Sequence, residues 1–239
     1  MATDATKTAA FKKFYQEEDG SLHYMNSIKQ REGMSREEVA GTFDKWVEKG
    51  TYIEDVNALN YQGPQMTAKV VAELFQKNRE NIRMVDMAAG TGLLSVELRK
   101  YGFIQIDGVD PSIASEKTAM EKNLYGRYIV EFVDERPLKI RTDEYDCAVS
   151  SGGFAPGLMP CAALQEFIRV VKPGGFIVIS APEYIFTLVE EYKGRLEPLM
   201  EKYIGQGIIE RVSRTRVESY LDKKPGVIFV FQVLQSRVP

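Results

Sequence analysis

The 239 residues contain one histidine and two cysteines, and each scarcity excludes something. Imidazole-based metal sites and nucleophile–histidine–acid triads both need histidine. The single one, His23, lies in a polar N-terminal stretch and reads as an exposed bystander. Cys147 and Cys161 are too few for a disulfide framework and show no metal-ligand spacing, so no metal site is expected. Neither sign of charge dominates: 31 Lys and Arg stand against 34 Asp and Glu, for a net charge of −3. Such a balance is not that of an electrostatic surface for nucleic acid. No apolar run approaches the ~18–20 residues needed to span a bilayer, and no secretory apolar stretch follows the start. Asp4, Glu17, Glu18 and Asp19 precede the first arginine, Arg31, unlike a mitochondrial transit peptide. The expectation is a cytoplasmic protein in a reducing compartment.

What is present describes a globular α/β chain, since 44% hydrophobic and 27% charged residues suit a domain with a real core. Residues 1–34 read as a polar N-terminal arm and 35–239 as a single domain, with capping helices over 35–80 and a core over 81–239. Ser35 followed by Glu38 has capping-box spacing. Val39, Phe43 and Val47 recur at helical spacing, which predicts a helix ending at Gly50. "TYIEDVNALNYQGP" then connects to a second helix over 64–77. From Ile82 short apolar strands alternate with helices: "IRMVDM", a helix over 92–100, "FIQIDGVD", a helix over 112–123, "RYIVEFV", "YDCAVSS", a helix over 160–171, and "FIVISAP" after a "KPGG" turn. That alternation is the pattern of a doubly wound parallel sheet. The C-terminal part departs from it. After one long helix over 185–203, "GIIERVSRTRVESYL" and "GVIFVFQVL" follow each other across "DKKPG", a hairpin turn, so one strand must run against the rest.

The chemistry concentrates in "MVDMAAGTGLLSVELRKYGF". A strand runs into a turn with Gly90 and Gly92, then into a helix whose free N–H groups face a ligand. Asp110, 18 residues beyond Gly92, ends the next strand where a carboxylate accepts from both hydroxyls of a ribose. A dinucleotide fingerprint wants a third glycine, and that position is Ser95. It also tolerates no carboxylate against the pyrophosphate, where two like charges would oppose by a few kcal/mol (roughly 4 kcal/mol at about 4 Å and an effective dielectric of about 20). Asp86 stands just there. A cationic nucleoside suits both acids.

"VDMAAGTG", "GVDPS", "FVDERPL", "EYDCAVSSGGF" and "VVKPGGFIVIS" follow in order the motifs of class I S-adenosylmethionine-dependent methyltransferases. Within that family the chain resembles most the methyltransferase-like group of the Williams–Beuren region, itself similar to ubiquinone-biosynthesis-type small-molecule enzymes. "FDKWVEKGTYIEDVNALNYQGP" resembles that group's N-terminal segment. The resemblance implies a Rossmann-like seven-stranded sheet with an antiparallel last strand, and S-adenosyl-L-methionine as cofactor with S-adenosyl-L-homocysteine as product. It further implies that Asp86 helps hold the methionyl ammonium and that the main chain of Met87, Ala88, Ala89 and Gly90 wraps the amino-acid moiety. Ala88 stands where the motif usually has its first glycine. Asp110 takes the ribose and Pro111 flanks the adenine. Asp134 accepts from the adenine amino group, with Glu135 supplying a backbone N–H, and Ser150 and Ser151 lie beside the methyl. Trp46, Tyr52 and Tyr61 suit either a lid or the core, and Tyr52 is taken as a cofactor contact.

No residue pattern offers a general base or a magnesium-binding carboxylate pair, so no catalytic residue is assigned; Glu183 and Tyr184 are the first candidates for acceptor contacts. Arg211, Arg214 and Arg216 alternate with Glu210 and Glu218 and read as a solvated strand face. The activity expected is methyl transfer to a small-molecule acceptor by in-line displacement. A non-catalytic cofactor-binding scaffold and a protein methyltransferase are the alternatives. The oligomeric state is not legible.

Overall fold

The structure is a computed structural model and describes residues 34–236; His23 and all but the end of the N-terminal arm lie outside them. Helix α1 (Arg36–Glu48) opens with the expected box, Ser35 accepting from Glu38 N at 3.2 Å and Glu38 accepting from Ser35 N at 2.8 Å. The segment read as a connector contains a short helix, α2 (Tyr52–Ala58), and α3 (Gly63–Leu74) starts with Pro64 in its first turn. Proline's missing N–H costs nothing there.

The core alternates as its sequence does: β1 (Arg83–Met87), α4 (Leu93–Lys100), β2 (Gln105–Val109), α5 (Ile113–Glu121), β3 (Tyr128–Ile129), β4 (Tyr145–Ser151), α6 (Leu164–Val170) and β5 (Val171–Pro182). Then come α7 (Ile185–Leu188), α8 (Leu196–Gly205), β6 (Ile209–Leu221) and β7 (Lys224–Val233). The seven strands lie in the order β3-β2-β1-β4-β5-β7-β6. β7 is antiparallel to both its neighbours, and the other pairings are parallel.

Alternate residues of each strand feed two cores, as the period of two requires. Met84, Cys147, Val149, Val178, Ile228 and Val230 pack against Ala68, Val71, Leu94 and Leu98 of α3 and α4. Val85, Ala148, Ile177, Ile179, Phe229 and Phe231 face Phe167, Ile168, Met200 and Tyr203 of α6 and α8.

Three elements differ from expectation. "RYIVEFV" pairs only through Tyr128 and Ile129, because β3 is an edge strand and the chain turns away to place Phe132 and Val133 elsewhere. "KPGG" lies within β5: Tyr145 pairs with Val171 and Cys147 with Phe176, so Lys172–Gly175 loops out of the ladder. The long helix is two. Between α7 and α8, Gly194 takes φ +63°, and buried Tyr192 turns inward with its hydroxyl shared between the carbonyls of Ala155 (2.7 Å) and Met159 (2.9 Å). Among the described residues no helix is long and apolar enough to cross a membrane.

Candidate functional site

β1 and β4 are neighbours from which the chain winds in opposite directions, and the crevice at their carboxyl ends is the switch point where α/β sheets bind ligands. A cavity opens there. Its floor is the loop after β1 (Ala88, Gly90), the end of β2 (Asp110, Pro111) and the end of β4 (Ser151, Gly152). Its roof is the N-terminal cap, with Phe43, Trp46 and Tyr52 packed on one another at ring separations of 4.8–6.3 Å.

The floor follows from local backbone. Gly92 caps α4 at φ +89°, and a Cβ there would stand 2.4 Å from Leu124, so the residue must be glycine. Ala88 holds φ +63°, a region an L side chain enters at a cost of roughly 1–2 kcal/mol. Relieving it gives an expected result: Ala88→Gly raises the melting temperature, or at worst leaves it unchanged, and a clear fall in a thermal melt would show that the methyl group is needed for packing.

Asp110 receives Gly90 N at 3.1 Å on one oxygen and Ser112 N at 2.9 Å on the other. Burial outweighs these two bonds and pushes its carboxyl up to about 6. Asp86 is buried under the loop and accepts from Tyr125 Oη at 2.8 Å. Burial, partly offset by the Tyr125 hydrogen bond, and the nearby charge of Asp110 raise it to about 7. The field beneath the glycine turn is therefore acidic.

The cap is fastened at two points. Asp44 accepts from Ser112 Oγ (2.6 Å) and Ala114 N (3.1 Å), tying α1 to the start of α5. Arg36 reaches Asp134 at 2.8 Å while stacking over Phe132. Arg136 grips the same carboxylate, with its N at 2.8 Å and Nη2 at 2.6 Å. Hydrogen bonds from Arg136 first, then Arg36, hold Asp134 far below the usual carboxylate range.

Of the residues singled out in the sequence, Tyr52, Ala88, Gly90, Asp110, Pro111 and Ser151 line the cavity. Asp86, Met87 and Ala89 lie buried beneath or beside its floor, and Ser150 is buried with no hydrogen-bond partner for its hydroxyl among the described residues. Asp134 is buried with its two oxygens taken by arginine, and Glu135 is exposed. The acceptor candidates do not reach the cavity. Glu183 turns outward to Arg216 at 3.0 Å, and Tyr184 is packed in the core; Pro182, one residue earlier, is the lining residue. Arg211, Arg214 and Arg216 pair with Glu201, Glu197, and Glu183 with Glu218. Sequence reasoning missed Phe132 and Val133, hidden in an apparent strand, and Tyr220, which reaches the cavity from the far end of the chain. Among the described residues no group of three or more His, Cys, Asp or Glu could hold a metal ion.

A family model described as a methyltransferase domain matches residues 59–202, and the chain belongs to the class I S-adenosylmethionine-dependent methyltransferase family. It is 29% identical over 168 residues to methyltransferase-like protein 27 of Homo sapiens, covering 70% of this chain and 66% of that one. It is 33% identical over 130 residues to the demethylmenaquinone methyltransferase of Corynebacterium kroppenstedtii, covering 52% and 54%. The chain thus spans slightly under two thirds of the one relative and about half of the other. A chain of the solved complex between the Haloferax volcanii Trm112 methyltransferase activator and a methyltransferase superposes with a TM-score of 0.57 at 16% identity, over 82% of this chain and 97% of that chain. The [4+2]-cyclase SpnF superposes at 0.53 and 18% identity, over 72% and 81%. These structural likenesses concern the fold, which hosts more than one chemistry.

The donor set fits the cofactor of this family. Among the described residues Asp110 and Arg36 are the charged ones of the lining, and the arginine is already bonded to Asp134. An acidic floor, a turn whose Gly90 leaves open space where a Cβ would stand, and an apolar wall of Pro111, Phe132 and Val133 together suit a cationic nucleoside with an adenine ring.

Proposed function

We propose that this chain binds S-adenosylmethionine in the crevice and transfers its methyl group to a small-molecule acceptor. The observation that carries the reading is Asp110: a cavity-lining carboxylate at the end of β2, oriented by Gly90 N and Ser112 N, with unused lone pairs for two vicinal hydroxyls. When bound, the cofactor supplies a methyl carbon on a sulfonium, which leaves as a neutral thioether with the bonding electron pair.

The chain's own part is positional. Asp110 fixes the ribose, Pro111, Phe132 and Val133 sandwich the base, and the loop at Ala88–Gly90 receives the amino-acid end. Asp86 supplies negative potential from below. Phe43, Trp46 and Tyr52 exclude water and close the space above, which supports a small acceptor held in line rather than an extended polypeptide. The acceptor's lone pair forms the new bond to carbon as the carbon–sulfur bond breaks, and the proton the acceptor carried is lost to solvent as the product leaves.

Calorimetry tests the binding: S-adenosylmethionine and S-adenosylhomocysteine bind and NAD does not. Asp110→Ala weakens both by roughly 1–3 kcal/mol, the worth of charge-assisted bonds to two hydroxyls; unchanged affinity removes the ribose assignment. Turnover is read by incubating methyl-labelled cofactor with a metabolite extract. Binding without any transferred label would leave a cofactor-binding protein.

A further inference from the structure

Behind the β4 end of the cavity lies a set of five hydroxyls drawn from four separate elements and the segment before α3. Tyr61 Oη is 2.7 Å from Ser151 Oγ and 3.3 Å from Tyr220 Oη. Tyr220 Oη is 3.0 Å from Ser180 Oγ, and Ser180 Oγ is 2.6 Å from Thr67 Oγ1. Thr67 Oγ1 lies 2.7 Å from the carbonyl of Gly63. Thr67 and Ser180 are fully buried, whereas Tyr61, Ser151 and Tyr220 line the cavity. The packing is built for this: a Cβ on Gly63 would meet Tyr61 at 2.5 Å, Ser151 Oγ at 2.7 Å and Tyr220 at 2.7 Å.

Each hydroxyl has one proton, and counting them orients the chain. A carbonyl only accepts, so at 2.7 Å Thr67 must donate to Gly63 O. Thr67 then has no proton for Ser180, and their 2.6 Å contact requires Ser180 to donate. Ser180 lies 3.2 Å from Ser151 Oγ as well, but its proton is claimed by the shorter contact. Tyr220 therefore donates to Ser180. The Tyr61–Ser151 contact holds one proton, which leaves one more for the pair, and the remaining inward acceptor is Tyr220 Oη, 3.3 Å from Tyr61 and 3.4 Å from Ser151. With that proton turned inward, all five hydroxyls donate toward Gly63 and polarise one another. The oxygen facing the cavity is then an acceptor. Turning the last proton outward would break the link to Tyr220.

We propose that the methyl acceptor is a neutral molecule that presents a hydroxyl or N–H group, which it donates to the Tyr61–Ser151 pair, on an otherwise apolar body. This rests on the reading of the cavity as the acceptor site. A ligand that donates extends the chain and breaks none of its bonds. A ligand with only a carbonyl or ether oxygen forfeits an internal bond to be held. The apolar body is set by the neighbours, with Leu59, Met159, Pro182 and Leu221 on the same lining. The relay ends in a carbonyl, which takes no proton. Tyr61, pushed well above the usual tyrosine range by burial, stays a neutral hydroxyl. The pair positions the nucleophile and does not deprotonate it.

The test uses two probes of nearly equal shape, 1-naphthol, which donates, and 1-methoxynaphthalene, which only accepts. Their dissociation constants are measured with and without saturating S-adenosylhomocysteine. The expected result is tighter binding of 1-naphthol by about tenfold, the worth of one buried hydrogen bond, against the greater apolarity of the ether. In Tyr61→Phe combined with Ser151→Ala the ratio falls to near one, while a thermal melt shows the fold retained. Tyr220→Phe, which leaves the cavity-facing pair intact and cuts the relay behind it, lowers the ratio in part. A ratio near or below one in the unaltered protein, a ratio undiminished in the double variant, or no binding of either probe would each overturn the proposal. Failure of S-adenosylhomocysteine to bind would instead overturn the cofactor reading, because the probe ratio is read without it too.

Discussion

Raising the pH from about 5 to about 7.5 is expected to tighten S-adenosylmethionine binding by ~10–100-fold. The carboxyls of Asp86 and Asp110 lie near 7 and 6, above their ordinary 3.8, chiefly because burial penalises the charged form. The sign follows from linkage. The folded protein holds protons on these groups that the unfolded chain releases near pH 4, so their contribution to stability falls as pH rises from about 4 through 7 and is flat above. A cationic ligand reverses that preference by favouring both carboxylates, so binding releases protons and strengthens across the same window. Calorimetry in two buffers of different ionisation enthalpy reads the protons released. Asp110→Asn should remove the lower part of the pH dependence. An affinity that is flat across the window would mean that neither carboxylate senses the ligand's charge.

Phe167→Ala is expected to cost about 3–5 kcal/mol of stability, as for other fully buried aromatic truncations, and to lower the melting temperature by roughly 10 °C for a chain of this size. Phe167 is fully buried, and its ring stacks on Phe154 at 6.1 Å, which in turn meets Tyr192 edge-on at 6.1 Å. Those two aromatics and the Tyr192 hydroxyl hold up residues 152–159, from which Gly152, Gly153, Leu158 and Met159 line the cavity. The truncation should therefore also weaken ligand binding, although Phe167 is not itself a lining residue. Chemical denaturation gives the first quantity and calorimetry the second. A melting point within two degrees of the parent would show that the core collapses to fill the space.

The parts of this molecule that were legible in its sequence are those decided by neighbours along the chain. Ser35 and Glu38 are three positions apart, and the box they form is a local matter. The strand–glycine–helix unit at 83–100 and the acid ending β2 are fixed by spacing, and "DKKPG" between two β-rich runs has few options besides a hairpin. What escaped is decided across distance. Asp134 is marked in the sequence only by resemblance, as an adenine contact, and nothing local announces its bond to Arg36, 98 positions away. The hydroxyls at 61, 67, 151, 180 and 220 share no sequence pattern, since they come from separate parts of the chain and are joined only through contact. Periodicity misled at "RYIVEFV" and over 185–203. In the first, Phe132 and Val133 line the cavity and only Tyr128 and Ile129 join the ladder. In the second, the same apolar residues serve two short helices separated by a turn.

The strand order carries a last consequence. β7, the final strand, is inserted between β5 and β6. The cap leans on this same hairpin, where Gln62 N donates to Tyr220 O at 2.8 Å and Asp222 N to Leu59 O at 2.9 Å. During synthesis, then, the loop after β1 leaves the ribosome long before β7 can tie the hairpin that carries Tyr220 and Leu221 of the cavity lining to the sheet. A nascent chain stalled before residue 224 would contain every lining residue and still lack the strand that holds one side of the cavity in place.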